Sequence, residues 1–254
     1  MARSPSGESV IERVVRILES FDPEMPALTI SALAARADLT TSTTSRLVDQ
    51  MASHGLLRRD DQGRVRVGIR MWELASRASP TLALREVAMP FMEDLLAIVG
   101  HHTQLGVLDQ REVLFLERLS ARNAVINITK IAGRLPLHAS SSGIVLLAHA
   151  SRALQEQVLA APLRTYTERT VRTPDELRRM LADVRRQGYA VCPGFIDPAA
   201  TGVAVPVRDP GGRVIAGLAI VVPSEGDHVT PHLGALRAAA RGLERALRGP
   251  VVSS

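Results

Sequence analysis

Hydroxyl side chains are concentrated in one short stretch of the sequence, from Thr40 to Ser45, and an arginine follows it directly. Small hydroxyl groups and arginine are the side chains that hydrogen-bond to base edges and phosphates when a helix enters the major groove of DNA. The stretch therefore predicts an element that recognises nucleic acid, with contacts from Thr41, Ser42, Thr43, Ser45 and Arg46. The alternative is that these hydroxyl groups only cap a helix.

A second group of residues suited to nucleic acid follows closely. Five arginines lie between residues 58 and 70, and only Asp60 and Asp61 oppose them within that window. A local excess of positive charge binds phosphate groups. Four of the arginines are predicted to hold the DNA backbone, namely Arg58, Arg59, Arg64 and Arg66. The alternative is that they form the solvated face of a hairpin.

Side chains that could support catalysis are few. His101 and His102 are adjacent rather than four residues apart, which is unlike a zinc-binding helix and favours a surface pair. Cys192 is the single cysteine, and beside Pro193 we expect a buried structural or pocket-lining thiol rather than a nucleophile. The sequence has neither a phosphate-binding glycine-rich loop nor a Gly-x-Ser-x-Gly motif. It therefore predicts no enzyme, with no catalytic residue, no metal site and no cofactor.

Composition limits the class of protein. The chain has 254 residues, of which 46% are hydrophobic and 22% charged, as is typical of one large or two smaller globular domains. The single cysteine excludes a disulfide framework and fits a reducing compartment. No apolar run reaches the ~20 residues of a membrane span, and residues 1–9 do not resemble a signal peptide. We therefore expect a cytoplasmic protein without a membrane partner.

Three helices are predicted to position the hydroxyl-rich stretch. Apolar residues at helical spacing predict one helix from Ser9 to Phe21 and a second that begins after Thr29. The third helix is predicted to bury one stripe of residues, Thr44, Leu47, Val48 and Met51, and to end at His54-Gly55. The hydroxyl groups then lie on the outward face of that third helix.

An arginine-rich ribbon is predicted to follow these helices. Residues 56–59 and 64–68 alternate as two strands around a turn, with Val65 and Val67 packed inward and Arg64 and Arg66 pointing outward. Three helices followed by such a ribbon are typical of a winged helix-turn-helix.

The remainder of the chain is predicted to mix strands with helices. A helix over residues 69–75 is interrupted at Ser79-Pro80. Beyond it, strands are predicted at 103–108, 113–119, 124–129, 202–207 and 213–222, and helices at 143–149, 153–159, 173–188 and 233–247. One sheet covered by helices makes an α+β domain that can enclose a small ligand.

Several motifs, in order along the chain, resemble those of the IclR family of bacterial transcriptional regulators. The likeness rests on Leu39-Thr40-Thr41-Ser42-Thr43, His54-Gly55-Leu56-Leu57-Arg58-Arg59-Asp60, Arg134-Leu135-Pro136-Leu137-His138-Ala139-Ser140, Tyr166-Thr167-Glu168-Arg169-Thr170, Arg186-Gln187-Gly188-Tyr189-Ala190-Val191 and Val205-Pro206-Val207. It covers about residues 9–247.

The resemblance implies a domain organisation within the α+β fold class. It implies an N-terminal winged helix-turn-helix DNA-binding domain over residues 1–68, a linker helix over 69–80 and a C-terminal GAF-like effector-binding domain over 81–254. It also implies that the linker helix joins two protomers through Trp72. The alternative is that Trp72 packs within its own chain.

The resemblance also implies an effector pocket, lined by Ser140, Ser141, Ser142, Cys192, Gly202, Ala219 and Val221. Relatives usually carry an aspartate where this chain has Cys192, further acids at Pro193-Gly194, a cysteine at Gly202, serines at Ala219 and Val221, and a lysine at Ile144. Burying a small oxoacid requires several convergent donors. We therefore expect a larger and less charged effector, aromatic or acyl-like, with hydrogen bonds from the three serines. The alternative is that these serines only cap the next helix.

Together these features predict a ligand-responsive transcriptional regulator, a repressor or an activator. We expect a homodimer or homotetramer that binds a pseudo-palindromic operator in double-stranded DNA. A small-molecule effector that favours one quaternary state would change operator affinity. The alternative is a small-molecule-binding or catalytic GAF-like protein whose N-terminal domain makes only protein contacts.

Overall fold

The structure, a computed structural model, describes residues 8–22, 24–77, 79–125, 127–226 and 229–249. The chain divides into two compact units, a first unit of residues 1–79 and a second unit of residues 80–254. None of the helices in the described ranges is both long and apolar enough to cross a bilayer.

The described residues of the first unit form four helices: α1 (Val10–Glu19), α2 (Ile30–Arg36), α3 (Thr41–Ser53) and α4 (Ile69–Arg77). The first three each begin at a hydroxyl N-cap, Ser9, Thr29 and Thr40, whose side chain accepts a hydrogen bond from a backbone amide in the first turn. The prediction that the first helix reaches Phe21 is wrong by two residues, because Ser20 caps α1 with its amide bonded to carbonyls of the last turn.

The core of the first unit holds α3 in place. The predicted stripe of Thr44, Leu47, Val48 and Met51 is buried. Its three apolar residues pack in one cluster with apolar residues of the other elements, among them Ile17, Leu28, Leu33, Leu57 and Val65. One face of α3 is thus fixed against the core, and the opposite face is free.

The ribbon after α3 is a short antiparallel pair, β1 (Leu57–Arg59) and β2 (Val65–Val67), in which Arg58 lies opposite Arg66. Leu28 exchanges two backbone hydrogen bonds with Val65, of 2.9 and 2.7 Å, so the ribbon is anchored to the segment before α2. Val65 is fully buried, but Val67 is 43% exposed. The prediction that both valines pack inward is wrong for Val67, which is the last residue of its three-residue strand.

The second unit is built on a six-stranded antiparallel sheet with the strand order β5-β4-β3-β8-β7-β6. Its strands are β3 (His102–Asp109), β4 (Glu112–Ser120), β5 (Arg134–Pro136), β6 (Ala190–Pro193), β7 (Ala200–Arg208) and β8 (Val214–Pro223). The long strands β3, β8 and β7 lie in the interior of the sheet, and the two shortest strands form its edges.

Helices cover both faces of this sheet. The helices are α5 (Pro80–Val99), α6 (Ser141–Ala148), α7 (Arg152–Ala160), α8 (Pro174–Gln187) and α9 (Thr230–Leu247). One hydrophobic cluster joins α5 and α9 to the sheet, and a separate cluster joins α6, α7 and α8 to it. α5 and α9 approach closely at Gly242, where a Cβ would lie 2.6 Å from a ring carbon of Phe91. The observed fold class is the predicted α+β arrangement.

The strand predicted at residues 124–129 is wrong. The described residues of that range, 124, 125 and 127–129, form an irregular part of the connection between β4 and β5, and Ile126 lies outside the described residues. Apolar and polar residues alternate there as in a strand. The polar side chains of Asn127 and Thr129 instead hydrogen-bond to each other. The edge strands β5 and β6, of three and four residues, were not predicted.

The prediction of a surface histidine pair is wrong for His102, which lies on an interior strand and is 5% exposed. Its Nδ1 is 2.9 Å from the Ser120 hydroxyl and its Nε2 is 2.6 Å from the Val125 carbonyl oxygen. Burial lowers the pKa of His102, because desolvation disfavours the imidazolium.

Candidate nucleic-acid interface and effector pocket

The exposed face of α3 carries small polar side chains. Opposite the buried stripe, helical periodicity groups Ser42, Ser45, Arg46 and Asp49. Ser42, Arg46 and Asp49 are exposed and Ser45 is half-buried. Thr41 and Thr43 lie at the two edges of this face.

Not all of the hydroxyl groups on α3 are equivalent. The Thr40 hydroxyl lies 3.2 Å from that of Ser42 and donates to Thr43 Oγ1 at 2.9 Å. Those two hydroxyl groups therefore take part in the helix cap, as the capping alternative required. No hydrogen bond joins the side chains of Thr41, Ser45 or Arg46 to the parts of the chain that the structure describes.

The arginines of the ribbon differ in their partners. Arg64 and Arg66 both bind the Asp60 carboxylate, at 3.0 and 3.1 Å. Arg59 Nη2 lies 2.9 Å from a carboxylate oxygen of Asp49, a partner outside the acids considered from sequence. Arg58 is exposed and forms no ion pair with any described residue. Three of the four predicted phosphate-binding arginines are thus already paired within the protein.

Asp60 organises the turn of the ribbon. Partial burial raises its pKa, but the Arg64 amide, the Arg66 and Arg64 guanidinium groups and the Gln62 amide hydrogen-bond to the carboxylate and hold the pKa at about 2. The carboxylate therefore stays ionised at all ordinary pH values. Gly63, with φ of 73°, allows the chain to turn at this point.

Helix α4 presents apolar side chains to solvent. It has no buried residue, Ile69 is 70% exposed and Trp72 is 65% exposed. The alternative that Trp72 packs within its own chain is therefore wrong. Helix α1 also exposes large apolar side chains, with Val10 54% and Ile11 74% exposed.

The second unit contains a pocket between α6, the sheet and two loops, with about 500 Å³ of empty space that includes its mouth. Its apolar lining consists of Phe115, Ile128, Leu135, Ala139, Cys192, Phe195, Ile196, Ala200, Gly202 and Val221, and its polar lining of Gln104, Asn127, Thr129, Ser140, Ser141, Ser142 and Asp197. Among the described residues, no arginine, lysine or histidine lines it.

The start of α6 forms one wall of the pocket. The Ser140 hydroxyl caps the helix by accepting from the Gly143 amide at 3.1 Å, so the capping alternative is correct for this serine. The first amides of a helix have no acceptor within it and carry its positive dipole end. Ser142 Oγ is buried and has no hydrogen-bond partner among the described residues.

Glycines bring α6 close to its surroundings. A Cβ at Gly143 would overlap the carbonyl group of Leu137. A Cβ at Gly202, on β7, would lie 2.9 Å from Ser141 Oγ. A Cβ at Gly217, on β8, would lie 3.3 Å from the Ser142 Cα. Because Gly202 and Gly217 lack side chains, Ser141 and Ser142 can approach strands β7 and β8.

A second wall is the loop after β6. Thr170, which is 2% exposed, donates from Oγ1 to the Phe195 carbonyl oxygen at 2.5 Å and accepts from the amides of Tyr166 and Thr167. Thr167 Oγ1 donates to the Gly194 carbonyl oxygen at 2.6 Å. These bonds fix the backbone that carries Phe195, Ile196 and Asp197 into the pocket lining.

Six of the seven residues predicted to form the pocket lie in its lining: Ser140, Ser141, Ser142, Cys192, Gly202 and Val221. Ala219 does not line it. That residue lies in β8, two residues before Val221, and is fully buried in the hydrophobic cluster under α6. Cys192 is 3% exposed, and burial raises the pKa of its thiol, so it is a neutral part of the wall.

The loop residues that line this pocket were not predicted from the sequence. Asn127 and Thr129 were assigned to a strand. Asp197 lies three residues beyond the Pro193-Gly194 pair that had suggested a loss of acids. The feature of the sequence that could have indicated these lining residues is a cluster of polar side chains in an irregular segment next to an edge strand. The described ranges contain no group of three or more His, Cys, Asp or Glu side chains that could hold a metal ion.

Comparison with known proteins agrees with this geometry. Residues 10–61 match the IclR helix-turn-helix domain and residues 77–245 match the family described as bacterial transcriptional regulator IclR C-terminal. The HTH-type transcriptional regulator XynR of Escherichia coli is 30% identical over 212 residues, which are 83% of this chain and 84% of XynR. The HTH-type transcriptional regulator KdgR of Escherichia coli is 27% identical over 95% of this chain and 93% of its own length.

Solved structures show the same likeness. An IclR homolog from Microbacterium hydrocarbonoxydans, crystallised in complex with 4-hydroxybenzoate, is 50% identical and superposes with a TM-score of 0.89 over 94% of this chain and 99% of its own. An IclR homolog from Microbacterium sp. strain HM58-2 is 48% identical, with a TM-score of 0.64 over 95% of this chain and 99% of its own.

A helix-turn-helix unit followed by an α+β unit with a pocket defines a class of protein, the transcriptional regulators that bind DNA and respond to a small molecule. The chain belongs to the IclR family of that class. Its second unit is the effector-binding domain, with a sheet consistent with a GAF-like fold.

Proposed function

We propose that the chain is a cytoplasmic regulator without enzymatic activity, which inserts α3 of two protomers into successive major grooves of a pseudo-palindromic operator. Thr41, Ser42, Thr43, Ser45 and Arg46 would contact bases and nearby phosphates, and Arg58, Arg59, Arg64 and Arg66 would lie along the backbone. The exposed polar face of α3, with the unpaired Arg46 on it, is the observation that carries this proposal.

Binding to the DNA directly upstream of the gene tests this proposal. We expect retardation of that fragment in a gel shift and a large loss of affinity in Arg46→Ala, because bidentate Arg–guanine contacts discriminate by about 1–3 kcal/mol. Arg111→Ala, which removes an exposed arginine of the second unit, is the matched control. Absence of DNA affinity even at low salt would favour a protein whose first unit makes only protein contacts.

We propose a homodimer or a homotetramer, with the first units joined through the apolar surfaces of α1 and α4. Six large apolar side chains there are between 43% and 74% exposed: Val10, Ile11, Val15, Ile69, Trp72 and Leu74. Monomeric proteins rarely expose large contiguous apolar patches, and tryptophan is common at the centre of interfaces. Sedimentation of Trp72→Arg should show a smaller assembly than the wild type, and an unchanged mass would contradict this interface.

We infer that the effector is an aromatic monocarboxylic acid or a close analogue. The pocket lining combines two phenylalanines and several aliphatic side chains with Ser142 Oγ, which lacks a partner, and with the start of α6. Amides at a helix N-terminus bind one carboxylate well. The relative crystallised with 4-hydroxybenzoate supports the same chemistry.

The same lining disfavours small dianions. No cation contributes to it among the described residues, and Asp197 adds a carboxylate, so a second negative charge would be buried without a partner. Calorimetric titration should detect 4-hydroxybenzoate and should detect no binding of succinate. Tight binding of succinate would contradict the proposed effector class.

A further inference from the structure

The loop between β4 and β5 carries a chain of hydrogen bonds that ends at the pocket. Gln104, which is 3% exposed on β3, donates from Nε2 to Thr129 Oγ1 at 2.5 Å. Thr129 Oγ1 then donates to Asn127 Oδ1 at 2.8 Å. All three residues line the pocket.

The direction of these hydrogen bonds fixes the orientation of the side-chain amide of Asn127. The backbone amide of Thr129 also donates to Asn127 Oδ1, at 3.0 Å. Because a backbone N–H can only donate, the atom that it meets must be the carbonyl oxygen of the side chain. The NH₂ group of Asn127 is therefore the remaining end.

No described residue accepts a hydrogen bond from that NH₂ group. Asn127 Nδ2 is shielded from solvent and has no hydrogen-bond partner among the described residues. A buried donor without an acceptor costs about 1–3 kcal/mol, and proteins seldom keep one without a reason. The other such atom in the pocket lining is Ser142 Oγ, on the wall formed by α6.

The loop cannot readily release Asn127 to solvent. Arg118 Nη1, from β4, donates to the carbonyl oxygen of Asn127 at 3.2 Å and also to that of Thr129. Turning the side-chain amide outward would break the two bonds to Asn127 Oδ1, and moving the loop backbone would break the two bonds from Arg118. An incoming acceptor atom is the simpler way to satisfy the donor.

We propose that Asn127 Nδ2 donates a hydrogen bond to an acceptor atom of the effector other than its carboxylate, and so selects among aromatic acids by their ring substituent. This inference rests on the effector site proposed above. The carboxylate is held by Ser142 and the start of α6, whereas Asn127 belongs to a separate wall. Phe115 and Leu135 supply apolar lining for the ring.

Calorimetric titration of two ligands tests this assignment. 4-Hydroxybenzoate carries an oxygen where 4-methylbenzoate carries a methyl group of similar size. We expect the wild type to bind the hydroxyl compound about tenfold more tightly, since one satisfied buried donor is worth about 1.4 kcal/mol. In Asn127→Leu the two dissociation constants should become nearly equal, mainly through weaker binding of 4-hydroxybenzoate.

Two variants separate recognition from folding. Ser142→Ala should weaken both ligands by the same factor and leave their ratio unchanged, because it removes a carboxylate contact. Asn127→Ala, the smaller substitution, should repeat the loss of preference. Retained binding of 4-methylbenzoate to the Asn127 variants shows that their pocket is intact.

The inference and the proposed function fail differently. If both benzoates bind and Asn127→Leu weakens them equally, or leaves their ratio as in the wild type, Asn127 only orders the loop and the inference is overturned. If neither benzoate binds the wild type, the proposed effector class is wrong and the assignment of Asn127 falls with it.

Discussion

The guanidinium group of Arg59 on β1 lies 2.9 Å from the carboxylate of Asp49 on α3. The ion pair joins the ribbon to the helix that we propose to enter the major groove. It also uses an arginine that would otherwise be available to a phosphate group. Both side chains are exposed, so the pair itself adds less than about 1 kcal/mol to stability.

Asp49→Asn should therefore strengthen DNA binding. The substitution releases Arg59 and removes a negative charge from the face of α3. We expect affinity for any DNA sequence to rise several-fold at low salt, with a salt dependence steeper by up to about one counterion. Fluorescence anisotropy over a series of NaCl concentrations measures this. Asp61→Asn, which removes an equal charge but releases no arginine, is the control; an equal gain there would refute a role for the ion pair.

Arg58→Ala should lower DNA affinity more than Arg64→Ala does. Arg58 forms no ion pair within the described part of the chain, whereas Arg64 shares the Asp60 carboxylate with Arg66. Loss of Arg58 should reduce the salt slope by about one, with little change in sequence preference. Because the Asp60 carboxylate already neutralises part of the Arg64 charge, loss of Arg64 should reduce the slope by less than one. Equal slopes for the two variants would contradict this ranking of the arginines.

Acid should remove one contribution to the stability of the first unit. The pKa of Asp60 is about 2 in the folded chain against an ordinary value of 3.8. A depressed carboxyl pKa stabilises the folded state above the ordinary value and loses that effect as the pH falls through both values. The stability difference between wild type and Asp60→Asn should thus be constant near neutral pH and shrink from about pH 5 to pH 2. Urea unfolding followed by circular dichroism measures it, with Asp61→Asn as the comparison; a difference independent of pH would be contrary to expectation.

Thr170→Val should weaken effector binding, although Thr170 does not line the pocket. The substitution keeps the shape of the side chain but leaves the amides of Tyr166 and Thr167 without their acceptor and the Phe195 carbonyl oxygen with only the 3.4 Å bond from Thr167 Oγ1. Each unsatisfied buried group costs about 1–3 kcal/mol, so we expect a lower melting temperature and looser packing of residues 195–197. Calorimetry and thermal unfolding report the two effects. Thr165→Val, at an exposed position, should change neither, and unaltered effector affinity in Thr170→Val would argue against this role.

Local sequence signals were sufficient for most of the fold. N-caps at Ser9 and Thr29, together with helical apolar spacing, give helix starts that the structure reproduces, and the helix predicted over residues 173–188 is observed from Pro174 to Gln187. The core stripe of α3 follows from the same periodicity. Such signals act within a few residues, which is why they can be interpreted without knowledge of the tertiary fold.

Long-range pairings could not be predicted in the same way. Arg59 meets Asp49 and Gln104 meets Thr129 only after separate elements have packed together. Residues 124–129 have the alternation of a strand, yet hydrogen bonds between side chains hold their polar groups in an irregular loop. The edge strands β5 and β6 are too short to show a pattern of their own and depend on the neighbouring strand for their existence.

The close approach of Gly143 to the Leu137 carbonyl group bears on any attempt to retune this sensor. A library aimed at new effectors should hold position 143 constant, because every other amino acid would push the helix off its neighbour and distort the cavity. Diversity belongs instead at 127, 142 and 221, three lining positions on different segments. Variants with altered ligand response can then be selected while the frame that supports them stays as it is.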